Sequence, residues 1–175
     1  MCSSDLGSVD LDSLDRLVDM LIGAGVDGLF LLGSSGETAY LTDSRREAVV
    51  ARAVARADGR VPVLAGAIDT TALRVIEQAR RAAAAGADAV VATCPFYALN
   101  DAAEIEDHFR AIGAAVDVPL FAYDVPVRLG GARPTADVFV RLGADGVLAG
   151  VKDSSGDDVG LRRLVAANEA AGHAS

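Results

Sequence analysis

A chain of 175 residues with 51% hydrophobic content, 5% aromatic residues and no Trp is long enough for one compact domain and too apolar for an unstructured tail. Sixteen basic against 25 acidic residues give a formal charge of −9, which repels phosphate backbones and argues against a nucleic-acid partner. The apolar runs are too short to span a membrane, and the N-terminus lacks the cationic start and apolar core of a signal peptide. Cys2 and Cys94 make no disulfide framework, so a reducing cytoplasm is the expected compartment. His108 and His173 are the only histidines, too few for a histidine-built metal site.

Residues 1–8 carry no period, and residues 1–6 read as a foreign leader, leaving 7–175 as one incomplete domain. Leu11, Leu14, Leu17, Val18, Leu21 and Ile22 then recur at helical spacing and stop at Gly23 and Gly25. The apolar run Leu29–Leu32 predicts a buried strand. The same alternation continues: a helix over 43–57 with Thr42 as N-cap, a strand over 61–65, a helix over 71–85 and a strand over 88–93. A helix over 101–115 opens with Asp101 and Glu104 in capping-box spacing. A strand over 119–123, a short helix over 135–142, a strand over 147–151 and a helix from 157 complete the series.

Successive strands start about 27–32 residues apart, one strand-plus-crossover unit. Three near-copies, Gly25-Val26-Asp27-Gly28, Gly86-Ala87-Asp88-Ala89 and Gly143-Ala144-Asp145-Gly146, each close a helix and enter a strand. Val61-Pro62 and Val118-Pro119 open the intervening strands. Apolar strands alternating with amphipathic helices mean a parallel sheet covered by helices. An open doubly wound sheet and part of a (β/α)8 barrel both fit, and the alternating joints favour the barrel.

Fifteen of the sixteen basic residues are Arg, and Lys152 is the only lysine. Arginine replaces lysine as a solvated charge but not as a nucleophilic amine, because a guanidinium does not deprotonate in a protein. Parallel α/β folds place function on the loops after the C-terminal strand ends. Those loops carry Gly33-Ser34-Ser35-Gly36-Glu37, Pro95-Phe96-Tyr97, Tyr123-Asp124-Val125-Pro126-Val127-Arg128 and Gly150-Val151-Lys152-Asp153-Ser154-Ser155-Gly156. The first suits a carboxylate, with two hydroxyls and backbone N–H groups between permissive glycines, although a turn with N-capping serines reads equally well. The Ser34–Ser35 spacing fits neither a nucleophile elbow nor a phosphate-binding loop. His108 and His173 read as structural or solvated, Cys94 as a buried small side chain, Tyr40 as helix packing, and Asp10, Asp12, Asp15 and Asp19 as a solvated helix face.

An amine, a phenol and a carboxylate cradle describe Schiff-base chemistry on a 2-oxo acid, with the iminium as electron sink. The amine must be neutral to attack, so burial is expected to depress it from about 10.4. Gly33-Ser34-Ser35-Gly36-Glu37, Tyr123-Asp124-Val125-Pro126 and Gly150-Val151-Lys152-Asp153-Ser154-Ser155-Gly156, in this order and spacing, resemble the dihydrodipicolinate synthase / N-acetylneuraminate lyase family. The resemblance runs from Gly7 to the end. It implies a partial (β/α)8 TIM barrel of five parallel strands (second to sixth), a tetramer when full length, and a pyruvate imine on Lys152. It makes Tyr123 the proton-relaying phenol, and Ser34 and Ser35, with Gly36, the holders of the pyruvate carboxylate. Tyr97 becomes a relay residue reaching a neighbouring subunit, and Arg128 the ligand for a second substrate's carboxylate.

The implied reaction is a 4-hydroxy-tetrahydrodipicolinate synthase-like condensation of pyruvate with aspartate semialdehyde, without metal or organic cofactor. The family's first, seventh and eighth strands have no counterpart here, so activity is expected of the full-length protein. Asp124 stands where the family usually has Asn, and Val127 and Leu129 where it has small polar residues. These differences keep a sugar-acid aldolase or dehydratase as an alternative. A non-catalytic 2-oxo-acid-binding protein and an inactive fragment are the rivals from other classes.

Overall fold

The computed structural model describes residues 8–172, which fold as two compact units, residues 8–68 with 77–91 and residues 69–76 with 92–172. Cys2, His173 and the residues expected to form a leader lie outside the described residues. Among the described residues, no helix is long and apolar enough to cross a membrane.

In the first unit, α1 (Leu11–Gly23) starts at Asp10, whose carboxylate accepts the Ser13 N–H at 2.9 Å. Its apolar stripe buries Leu14 and Val18. Helix α2 (Asp43–Ala57) packs against α1 and buries Val49, Val50, Ala53 and Ala57. Asp15 and Asp19 are not a purely solvated face. Arg52 clasps Asp15 with two bonds of 2.8 and 2.6 Å, and Arg56 and Arg60 pair with Asp19. At this exposure such pairs align the two helices more than they stabilise them. Thr42 occupies the N-cap of α2, but its hydroxyl lies against Ser44 Oγ at 3.2 Å and makes no cap bond.

Strands β1 (Leu29–Leu31), β2 (Val63–Gly66) and β3 (Ala89–Ala92) pair in parallel, with Phe30 beside Leu64 and Ala65 beside Val90. Every residue of β3 is buried, as a strand covered on both faces requires. Strand β2 begins two residues later than its sequence suggests, where Val63 donates its N–H to Asp88 Oδ2 at 2.8 Å. One close approach was invisible in the pattern. Leu32 takes a left-handed backbone with φ 56°, and a Cβ at Gly66 would stand 2.3 Å from the Leu32 carbonyl oxygen.

Helix α3 (Ala72–Ala84) contributes to both units. The second unit continues with α4 (Ala102–Gly113), where the capping box forms as expected: Glu104 N–H to Asp101 and Asp101 N–H to Glu104, both at 2.9 Å. Phe109 and Ile112 of α4 are fully enclosed. Strand β4 (Leu120–Asp124) pairs in parallel with β5 (Gly150–Asp153), and α5 (Ala136–Ala144) packs against α4 and α6 (Asp158–Ala170).

Here the sequence pattern misled. Gly25 and Gly86 take the left-handed turn at the first two repeated joints, but in the third copy Gly143 is helical and Gly146 turns instead. The later turn delays strand entry, so β5 spans 150–153 and not 147–151.

His108 and Cys94 are core residues, as expected. The His108 Nε2 lies 3.1 Å from the Thr93 carbonyl, its ring meets Phe109 edge-on, and burial lowers its pKa. Burial, aided by the Asp124 charge, pushes the Cys94 thiol up to about 12, leaving it unreactive. Tyr40, by contrast, packs on nothing substantial: it is exposed on a short 3-10 turn.

Gly66→Ala is expected to lower stability by about 1–3 kcal/mol through the backbone clash. Gly143→Ala, with open space around it inside α5, should raise it by up to about 1 kcal/mol. Urea titrations of the two variants beside the parent check both signs.

Candidate active site

Parallel pairing sets β4 and β5 in a register that places Tyr123 beside Lys152 and Asp124 beside Asp153. Alternation along a strand sends the first pair to one face and the second pair to the other. The Lys152 Nζ sits 3.8 Å from the centroid of the Tyr123 ring, a cation–π distance, and donates to Ser154 Oγ at 2.7 Å. Tyr123 is 7% exposed. Lys152 itself is exposed, which overturns the expectation of a buried amine. Among the described residues β5 is paired on its β4 edge only. Lys152 also lies within β5 and not on the loop that follows, a consequence of the delayed strand.

The loop from Asp153 to Asp157 is built from its own hydroxyls. Asp153 Oδ1 accepts from the Ser155 N–H at 2.7 Å and from its hydroxyl at 2.8 Å. The Asp157 N–H donates to Ser155 Oγ at 3.1 Å, and the Ser154 N–H to the Asp124 carbonyl at 2.8 Å. Asp157 then caps α6 by accepting the Gly160 N–H at 2.8 Å, the main cause of its lowered pKa.

On the reverse face Asp124 is 1% exposed. Arg133 Nη2 donates to its Oδ2 at 2.6 Å, while Nη1 reaches Asp157 at 3.1 Å. Burial raises the Asp124 pKa; the guanidinium pulls it back down only in part, and the Asp153 and Asp157 charges add to the rise. Asp124 Oδ1 is buried with no hydrogen-bond partner.

Sequence reasoning flagged Asp124 only as a departure from the family's Asn and missed Arg133 and Ser154. The available signal was elementary: a carboxylate in an apolar strand needs a cation, and Arg133 is nine residues downstream in the loop before α5.

The remaining expected residues are placed as follows. Arg128 ends the 3-10 turn Pro126–Arg128 in the same unit and is exposed. Tyr97 is 99% exposed, with a left-handed backbone of φ 80°. Ser34, Ser35 and Gly36 belong to the first unit and form an exposed turn after β1. Two of the N–H groups expected to be available there close the turn itself, Gly36 to Gly33 O at 3.0 Å and Glu37 to Ser34 O at 3.3 Å. The serines do not cap the following 3-10 helix; Glu37 holds that position. Among the described residues no cluster of three or more His, Cys, Asp or Glu is arranged to hold a metal ion.

The family model described as the dihydrodipicolinate synthetase family matches residues 3–171. The chain belongs to this family. A DapA-like lyase of Halobacterium salinarum is 38% identical over 161 residues, covering 92% of this chain and 53% of the relative. A 4-hydroxy-tetrahydrodipicolinate synthase of Phenylobacterium zucineum is 39% identical over 151 residues, covering 86% and 51%. A prophage protein of the dihydrodipicolinic acid synthase family from E. coli K12, solved with pyruvate, superposes with a TM-score of 0.92 at 33% identity, covering 98% of this chain and 57% of that one. The chain therefore spans about half the length of the curated relatives it matches. Its fold is a partial (β/α)8 barrel of the dihydrodipicolinate synthase type, with five parallel strands and alternating helices.

Arg133→Leu leaves the Asp124 carboxylate buried without its cation and is expected to cost about 3 kcal/mol at neutral pH. A carboxyl whose folded pKa is raised contributes stability below its ordinary value and loses it as pH rises through the raised one. The deficit of the variant should therefore shrink from pH 7.5 toward pH 4.5. Urea titrations across that range check it, and a deficit independent of pH would contradict it.

Proposed function

We propose that the protein is a pyruvate-dependent, imine-forming lyase, most closely a 4-hydroxy-tetrahydrodipicolinate synthase, working as part of a longer chain. The observation that carries this reading is the placement of the sole lysine, in register with Tyr123 on adjacent parallel strands and 3.8 Å from its ring. A lysine retained where arginine serves everywhere else fits a covalent role and not a charge.

In the proposed reaction the neutral Lys152 amine adds to the keto carbon of pyruvate and water leaves, giving an iminium. Loss of a methyl proton gives an enamine, whose carbon attacks the aldehyde carbonyl of the second substrate. The amine of aspartate semialdehyde then displaces Lys152 and closes the ring. The Tyr123 phenol carries protons between these steps as general acid and base. Ser34, Ser35 and Gly36 receive the pyruvate carboxylate, Arg128 that of the aldehyde partner, and Tyr97 serves a neighbouring subunit of a homotetramer. The imine supplies the electron sink, so this reading assigns no metal or organic cofactor.

One observation favours a second reading, a sugar-acid aldolase or dehydratase. Val127 and Leu129 flank Arg128 with apolar side chains, and Val127 is exposed. Arg128→Ala separates the two: a synthase loses affinity for the semialdehyde, whereas a sugar-acid enzyme changes little.

Borohydride reduction in the presence of pyruvate is expected to fix one adduct per chain, on Lys152. Lys152→Arg should abolish it, and Tyr123→Phe should slow turnover about 10²-fold or more while the adduct still forms. Mass spectrometry of the digested protein locates the adduct, and its absence from Lys152 would end the proposal.

A further inference from the structure

We propose that Arg133 is a positioning residue for the amine–phenol pair: it ties the end of β4 to the N-terminus of α6 and so holds the loop from which Ser154 orients Lys152. The inference rests on reading Lys152 as the imine-forming amine, and it concerns a residue none of whose bonds reaches that amine.

The path is continuous in hydrogen bonds. Arg133 donates through Nη2 to Asp124 Oδ2 at 2.6 Å and through Nη1 to Asp157 Oδ2 at 3.1 Å. Asp157 holds Ser155 through its own N–H at 3.1 Å, and Ser155 holds Asp153 through two bonds of 2.7 and 2.8 Å. Ser154 lies inside this turn, fastened to the Asp124 carbonyl by its N–H at 2.8 Å, and accepts from the Lys152 Nζ at 2.7 Å.

The two arms of the guanidinium differ in kind. The inner arm is anchored on a carboxylate that is 1% exposed, where a misplaced partner is costly and the geometry is correspondingly fixed. The outer arm grips an exposed carboxylate that is weakly held by itself. Beside the Ser154 N–H bond to the Asp124 carbonyl, Arg133 thus adds a second tie between the buried strand end and a loop otherwise held by local turns. A lysine would not hold the same geometry, since its ammonium is a point charge on a flexible stem and the guanidinium is a rigid planar fork. The charged and titratable groups facing Asp124 are Arg133 from the loop before α5, Asp153 of β5, Asp157 at the start of α6 and the Cys94 thiol after β3, and Arg163 of α6 lines the same cleft of about 260 Å³.

In protein labelled with [13Cε]lysine the Lys152 methylene signal is identified by its loss in Lys152→Arg, and the Tyr123 ring beneath it should displace that signal upfield. Two variants probe the bridge. Asp157→Asn keeps the helix cap and removes only the charge of the outer arm. Asp124→Asn with Arg133→Leu removes both charges together and leaves no buried ion behind. In each, the signal is expected to move toward the position of free lysine. Reductive trapping by pyruvate should slow about threefold in the first and tenfold in the second, with the circular dichroism of the parent retained.

An unmoved signal in either folded variant overturns the proposal, as does parental trapping speed in both. Should the double variant not fold, the exposed Asp157→Asn change decides alone. A full-length parent protein that pyruvate never traps would refute the functional reading instead, and the labelled methylene would still report on the bridge.

Discussion

Register between two parallel strands governs what this chain can do. Because β4 and β5 pair with Tyr123 opposite Lys152, the next step along each strand must bring Asp124 opposite Asp153 on the other face. A reactive pair on one side therefore comes with two carboxylates on the other, and these cannot both be buried and ionised without a cation. Arg133 meets that requirement, and its second arm captures the α6 cap. The chemistry-bearing face and the ion-paired face are two results of one alignment; a slip of one strand by a single residue would break both pairs.

The same logic explains why an exposed amine still has a defined place. Lys152 lacks an enclosing wall among the described residues, yet contacts with a hydroxyl and an aromatic face help to locate its nitrogen. Neither is strong alone. They are effective because the groups that make them are immobile: Tyr123 is sunk in its strand, and Ser154 is tied by its backbone to Asp124. Precision at the solvent boundary is borrowed from the buried strand end behind it.

Most of the fold was legible because periodicity and capping are local. The helices over 43–57 and 101–115 and the runs at 29–32 and 88–93 announce themselves through apolar spacing and Asp101–Glu104. What escaped was set by contacts between distant residues. The Gly143 joint looked like its two relatives, but helical packing carried α5 past it and moved the turn to Gly146. The Leu32 carbonyl selects glycine at position 66 across a strand pair, which no window of neighbouring residues contains. In the candidate site, chemistry could be read from the rarity of one lysine, because reactivity belongs to the residue type. Burial, the Ser154 contact and the Arg133 bridge belong to the assembled loops, and a buried acid names its need for a base without naming which of fifteen arginines will answer.

The lone amine also gives the polypeptide a single address. A protease that cuts only after lysine finds one bond here, between Lys152 and Asp153, at an exposed strand end. Any group left covalently on that nitrogen would hide the bond, so the ability of such an enzyme to halve the chain becomes a reading of whether the nitrogen is occupied. Amine-directed dyes and coupling resins meet the same fact from the other direction: within these 175 residues the one lysine side chain they find is the nitrogen the proposed reaction needs.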